Sequence, residues 1–180
     1  MLFQNNKIIF LIGLPGSGKT HIGKLISKSL SWNFIDMDSY IEKKSKKLIS
    51  EIFFEYGESY FRKFEHETLN ELKNLENTII STGGGCILSK KNKSILRKYG
   101  ISIWLKANPT TIHARLKNSN KENVRPLLGE KVPVKKISEL LEKRKNHYSI
   151  ADIVITTDNK TAKDVNDEIL KIIRSNDIGK

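Results

Sequence analysis

Short apolar runs alternate along the chain with longer segments in which apolar residues recur every three or four positions. The short runs predict five strands, at residues 7–11, 32–35, 78–81, 101–105 and 152–156. The longer segments predict helices at residues 19–30, 38–47, 50–56, 58–75, 90–99, from 109 onward, 134–148 and 161–174. Strands separated by helices are typical of βαβ units, so the pattern predicts an α/β fold whose five-stranded parallel sheet is flanked by helices.

Two segments depart from this alternation. Residues 37–75 are helical throughout and predict a subdomain that projects from the sheet. Residues 118–131 are polar and charged, and they predict a mobile loop. A chain of 180 residues suits one compact domain, so we expect residues 1–180 to form a single unit.

Composition narrows the class of protein. A hydrophobic fraction of 38% and the lack of an apolar run long enough to cross a bilayer predict a protein without a membrane partner. The one cysteine, Cys86, leaves no partner for an internal disulfide and favours a reducing, cytoplasmic setting. The net charge of +12 is spread over scattered lysines, which favours compositional drift over a nucleic-acid-binding patch.

The strongest motif is a phosphate-binding loop. Residues 13–20 read G-L-P-G-S-G-K-T and match G-x-x-x-x-G-K-[ST] between a predicted strand and a predicted helix. Glycines let backbone N–H groups curl around an anion at the helix N-terminus, so a nucleoside triphosphate is expected here. We expect Lys19 to reach the β- and γ-phosphates and the Thr20 hydroxyl to bind Mg²⁺. The loop residues expected to contact the nucleotide are Gly13, Pro15, Gly16, Ser17, Gly18, Lys19 and Thr20.

Further candidates follow the strands or lie on helices. D-M-D, with Asp36 and Asp38, follows the second strand, and strand alternation would keep both carboxylates on one side. T-G-G-G, with Gly83, Gly84 and Gly85, ends the third strand, at the edge where parallel sheets bind ligands. Three more stretches complete the series: F-R-K-F-E at 61–65, R-P-L-L at 125–128, and R-x-x-x-Y at 144–148.

In this order, these motifs resemble the shikimate kinase family over roughly residues 7–160. The resemblance implies the P-loop NTPase fold in its nucleoside-monophosphate-kinase-like form, with a substrate-binding subdomain at about 37–75 and a lid at about 117–132. It implies ATP-dependent phosphorylation of the 3-hydroxyl of shikimate, with Mg²⁺, in the pathway to aromatic amino acids. We expect a monomer that binds this small molecule.

The resemblance also implies roles for single residues. Asp38 would hold the shikimate hydroxyls and act as the base, and Asp36 would associate with Mg²⁺. Arg62 and Arg144 would bind the substrate carboxylate, with Glu65 steadying the first arginine. The backbone of Gly84 and Gly85 would face a substrate hydroxyl. Arg125 would reach the phosphates when the lid closes, and it is counted with Lys19 and Asp38 as catalytic. Arg115 lies near the position of the family arginine that stacks on adenine.

Several alternatives remain open on the sequence. Asp36 or Asp38 could cap the next helix, and Arg62 could pair with Glu58 or Glu65 at helical spacing. Another small-molecule kinase of the same fold, such as one for gluconate, would also need an arginine for a carboxylate. A basic protein that binds nucleic acid and uses a nucleoside triphosphate as a switch would need an aromatic stacking platform, which the sequence lacks.

Overall fold

The structure is a computed structural model, and it describes residues 8–118 and 133–177. Its five strands form one parallel sheet in the order β2-β3-β1-β4-β5. The strands are β1 (Ile8–Ile12), β2 (Asn33–Asp36), β3 (Thr78–Ser81), β4 (Ile101–Lys106) and β5 (Ile153–Thr156). The parallel five-stranded sheet predicted from the apolar runs is therefore confirmed.

Seven α-helices occur in the described ranges, together with one 3₁₀ turn at Cys86–Leu88. The helices are α1 (Lys19–Leu30), α2 (Met37–Ser45), α3 (Ile49–Leu72), α4 (Lys90–Tyr99), α5 (Pro109–Lys117), α6 (Val134–Tyr148) and α7 (Ala162–Asp177). The two helices predicted at 50–56 and 58–75 are one element, α3, kinked at Gly57, where φ is 78°. None of the described helices is long and apolar enough to cross a membrane.

Two apolar layers enclose the sheet. Alternate residues of the fully buried β1 point to opposite faces, so Phe10 packs in one layer and Leu11 in the other. One layer receives apolar residues from α3 to α6, and the other from α1 and α7. A third, smaller cluster joins α2 to α3 through Ile41, Ile52 and Phe61.

Two element starts differ from the predictions, and one open alternative about a helix cap is decided. Trp32 is not in β2: Ser31 adopts a left-handed conformation that ends α1, and the Trp32 N–H donates to Ser27 O. The helix predicted from residue 50 begins one residue earlier, at Ile49, and the Glu51 carboxylate accepts from the Leu48 N–H. The cap of α2 is Asp36, whose carboxylate accepts from the N–H groups of Asp38 and Ser39.

Candidate active site

One continuous cleft of about 1050 Å³ runs along the carboxyl edge of the sheet. The residues that follow β1, β2, β3 and β5 all contribute to its lining. This edge is where parallel α/β sheets bind their ligands, because the strand ends and helix N-termini converge there. The cleft is therefore the candidate site for both a nucleotide and an acceptor.

The loop between β1 and α1 has the backbone that its glycines predict. Gly13, Gly16 and Gly18 have φ values of 142°, 84° and 100°, a region that other residues rarely adopt. The Lys19 ammonium donates to the carbonyls of Gly13 and Leu14 at 3.0 and 3.1 Å. The loop thus curls around its own lysine, and bound phosphates would compete for that ammonium.

Thr20 and Asp36 lie together although 16 positions separate them. The Thr20 hydroxyl donates to Asp36 Oδ2 at 2.6 Å, while Asp36 Oδ1 accepts from the backbone of α2. A hydroxyl and a carboxylate are the hard oxygen donors that Mg²⁺ prefers, so this pair fits the expected ion. The capping role proposed for Asp36 also occurs, and it fixes the carboxylate beside Thr20.

Asp38 reaches the cleft by a different route from the one predicted. β2 ends at Asp36, and Asp38 lies in the first turn of α2, so strand alternation does not place it. Its carboxylate lies against the glycine run: a Cβ on Gly83 would be 2.9 Å from Asp38 Oδ1 and would also meet Glu65 Oε1. Both carboxylates therefore face the same short stretch of backbone.

Arg62 forms the helical ion pairs that the sequence left open, and it also lines the cleft. Its guanidinium donates to Glu58 Oε1 at 2.9 and 3.1 Å and to Glu65 Oε2 at 2.9 Å. Burial lowers the pKa of Arg62, but the charges and hydrogen bonds of both carboxylates outweigh it and leave that pKa raised. Arg62 therefore stays charged at any working pH.

Glu65 is almost completely buried, and burial raises the pKa of its carboxyl to about 7. The Arg62 guanidinium opposes this rise, whereas the negative charge of Asp38 adds to it. Within the described residues, Glu65 Oε1 has no hydrogen-bond partner. The carboxyl is thus held between its cationic partner and the cleft.

Arg144 comes to the glycine run from α6. Its guanidinium donates to Gly84 O at 3.0 Å, and only 5% of the residue is exposed. The next residue of the run, Gly85, is so close to Arg62 that a Cβ there would overlap the guanidinium. The two arginines predicted to bind a carboxylate therefore contact adjacent residues of the glycine run, although 82 positions of sequence separate them.

Close approach, and not an unusual backbone conformation, accounts for the three glycines. None of them has a positive φ. A Cβ on Gly83 would meet the carboxylates of Asp38 and Glu65. A Cβ on Gly84 would lie 2.7 Å from the ring of Pro15, and one on Gly85 would meet the guanidinium of Arg62. The buried Thr82, which our sequence reasoning did not single out, anchors this run because its N–H and hydroxyl both donate to Leu11 O at 3.0 Å.

The remaining predicted residues lie toward the far end of the cleft or outside the described ranges. Arg115 donates to Ser17 O at 3.2 Å and to the hydroxyl and carbonyl of Thr157 at 2.9 and 2.8 Å, which ties the phosphate loop to the segment after β5. Cys86 is a buried core residue, and burial raises the pKa of its thiol. Arg125 and residues 119–132 of the predicted lid lie outside the described residues.

Three comparisons with known proteins bear on this site. The family model described as shikimate kinase matches residues 15–174. A shikimate kinase of Caldanaerobacter subterraneus subsp. tengcongensis is 42% identical over 92% of this chain and 95% of its own length. A structure of the Acinetobacter baumannii shikimate kinase in complex with shikimate is 34% identical, with a TM-score of 0.87, over 97% of this chain and 96% of that one.

A gluconokinase from Sinorhizobium meliloti 1021 matches with a TM-score of 0.59 and 14% identity, over 93% of this chain and 90% of that one. At that identity the match shows a shared fold and nothing about the acceptor. The family model and the relatives above 30% identity agree with the motif order and with the geometry of the cleft. This chain belongs to the shikimate kinase family.

Proposed function

We propose that this protein transfers the γ-phosphoryl group of ATP to the 3-hydroxyl of shikimate. Family membership supports the reaction, and the arrangement of Arg62, Arg144 and Asp38 around the glycine run is the observation that carries it. Shikimate has one carboxylate and three hydroxyls. Two guanidiniums can bind the carboxylate through charge-assisted hydrogen bonds, while a carboxylate and backbone groups bind the hydroxyls.

In the proposed reaction, the 3-hydroxyl oxygen forms a bond to the γ-phosphorus as the bond to the β,γ-bridging oxygen breaks and ADP leaves. Asp38 takes the hydroxyl proton. When ATP binds, the Lys19 ammonium would leave the two loop carbonyls and donate to the phosphates instead. Its positive charge would then stabilise the oxygens of the transferring phosphoryl group. Thr20 and Asp36 would hold Mg²⁺, which supplies further charge neutralisation at the phosphates. From the family resemblance, Arg125 would add a second cation.

The test is an assay that couples ADP release to NADH oxidation, with ATP, Mg²⁺ and a panel of acceptors. The panel contains shikimate, gluconate, quinate and water alone, at matched concentrations. We expect shikimate to stimulate ADP release strongly and the other acceptors weakly, because two arginines, one carboxylate and the glycine backbone match all four polar groups of shikimate. Equal stimulation by gluconate, or none by shikimate, would contradict the proposal.

Asp38→Asn tests the role of the proposed base. We expect kcat to fall by about 100-fold or more, because the amide cannot accept the proton in the transition state. Asp167→Asn, at an exposed position on α7, is the matched control and should keep the wild-type kcat. An Asp38→Asn enzyme with nearly full kcat would remove Asp38 from the chemistry.

A further inference from the structure

Tyr148 is a buried tyrosine that the proposed reaction does not use. It lies on α6, four residues after Arg144, and its side chain is fully buried. Its ring stacks on Trp104, with centroids 5.5 Å apart and an interplanar angle of 25°. Its hydroxyl donates to Gly84 O at 2.5 Å. The ring is thus held by the core while the hydroxyl reaches the floor of the acceptor end of the cleft.

The Gly84 carbonyl accepts hydrogen bonds from Tyr148 and Arg144 together. Arg144 donates to the same oxygen at 3.0 Å. Burial raises the pKa of Tyr148 to about 12, although the guanidinium of Arg144 acts in the opposite direction. The phenol is therefore a neutral donor throughout the pH range in which the enzyme would work, and its bond to Gly84 O is always available.

The other side of the Gly84 peptide is also occupied. A Cβ on Gly84 would be 2.7 Å from Pro15 Cδ and 3.1 Å from Pro15 Cγ, so the peptide packs directly on the phosphate loop. Gly85, the next residue, lies against the guanidinium of Arg62. A small displacement of this peptide would therefore change the surroundings of both acceptor arginines.

We propose that Tyr148 is a positioning residue for the acceptor end of the cleft. Its hydroxyl holds the Gly84 carbonyl in the place where that carbonyl directs the Arg144 guanidinium toward the acceptor carboxylate. This inference rests on the proposed function, because it takes shikimate as the acceptor. Tyr148 and Arg144 donate to the same carbonyl oxygen, so the effect of the Tyr148 hydroxyl should fall mainly on acceptor binding.

Tyr148→Phe removes the hydroxyl and keeps the ring that stacks on Trp104. We expect the shikimate KM, and the shikimate Kd measured by calorimetry without ATP, to rise about fivefold, as the loss of one net hydrogen bond predicts. The ATP KM should change less than twofold. Tyr99→Phe, which removes a hydroxyl from a half-buried tyrosine at the end of α4, is the matched control and should leave both constants unchanged.

A double-mutant cycle with Arg144→Lys separates positioning from general stability. If Tyr148 acts through Arg144, the effect of Tyr148→Phe on shikimate Kd should largely disappear when Arg144 is already lysine. Additive losses, an unchanged shikimate Kd in Tyr148→Phe, or equal losses for shikimate and ATP would each overturn the inference. If shikimate does not stimulate ADP release by the wild-type protein, the proposed function itself is overturned.

Discussion

Arg62 donates hydrogen bonds to two carboxylates of its own helix, one exposed and one buried. Exposed ion pairs at helical spacing contribute little stability, so the Glu58 contact is weak evidence for any role. The Glu65 contact is different, because it orients the guanidinium beside Gly85 from within the core. The helical pair and the proposed acceptor role are therefore parts of one arrangement.

Arg62→Lys should raise the shikimate KM by about tenfold with a smaller change in kcat. Lysine keeps the charge but replaces a planar fork of donors by a point charge, so it loses bidentate contact with a carboxylate. Steady-state kinetics at saturating ATP would measure the change. Arg97→Lys, at an exposed position on α4, is the control. An unchanged shikimate KM in Arg62→Lys would mean that Arg62 does not hold the acceptor carboxylate.

At the scale of the element, the turn after β3 shows what the glycine run does. The resemblance implies that the Gly84 backbone faces a substrate hydroxyl. If that were the only reason for a glycine there, Gly84→Ala would impair shikimate binding far more than ATP binding. The structure changes this expectation, because the added methyl group would collide with Pro15 of the phosphate loop. The turn is shared between the two ends of the cleft.

Gly84→Ala should therefore raise the KM of ATP as well as that of shikimate, each by several-fold, since the crowded methyl group displaces both Pro15 and the Gly84 peptide. Gly100→Ala is the control: its Cβ would be 2.6 Å from Ile8 O and would collide with the Phe10 ring, away from the cleft. That variant should lose thermal stability and keep both KM values. A Gly84→Ala enzyme with a normal ATP KM would mean that the glycine serves the acceptor end of the cleft alone.

At the scale of the whole molecule, the buried Glu65 links the proposed acceptor site to the stability of the fold. Its folded-state pKa is about 7, above the ordinary value of 4.5, so the folded protein binds this proton more tightly than the unfolded chain does. The resulting stabilisation is complete below about pH 4.5 and is lost as the pH rises through 7. Arg62, which we propose binds the acceptor, is thus held by a carboxyl whose ionisation costs folding free energy.

The free energy of unfolding, measured with urea between pH 5 and 8, should show this loss. Relative to Glu65→Gln, which cannot ionise, the wild type should become less stable across that range, by up to about 3 kcal/mol. Glu67→Gln, at an exposed position two residues along α3, is the control and should follow the wild-type profile. A constant difference between wild type and Glu65→Gln would mean that Glu65 does not titrate in this range.

Much of the molecule could be predicted from sequence because the signals are local. Apolar periods of two and of three to four residues are set by strand and helix geometry, and they predicted the βα order and the parallel sheet. The phosphate loop is contiguous, and so are the D-M-D, F-R-K-F-E and T-G-G-G motifs. Their order along the chain was sufficient to indicate the family that the comparisons then showed.

Only the tertiary structure decided which groups meet. Thr20 bonds to Asp36 across 16 positions, and Tyr148 bonds to Gly84 across 64. The ends of the elements also depended on such contacts or on the conformation of a single residue. The left-handed conformation of Ser31, for example, ends α1 in such a way that β2 begins after Trp32. Burial of Glu65, which raises its pKa, requires packing from several elements. Local periodicity carries no information about these pairings, because they depend on how the strands are ordered in the sheet and how the helices pack on it.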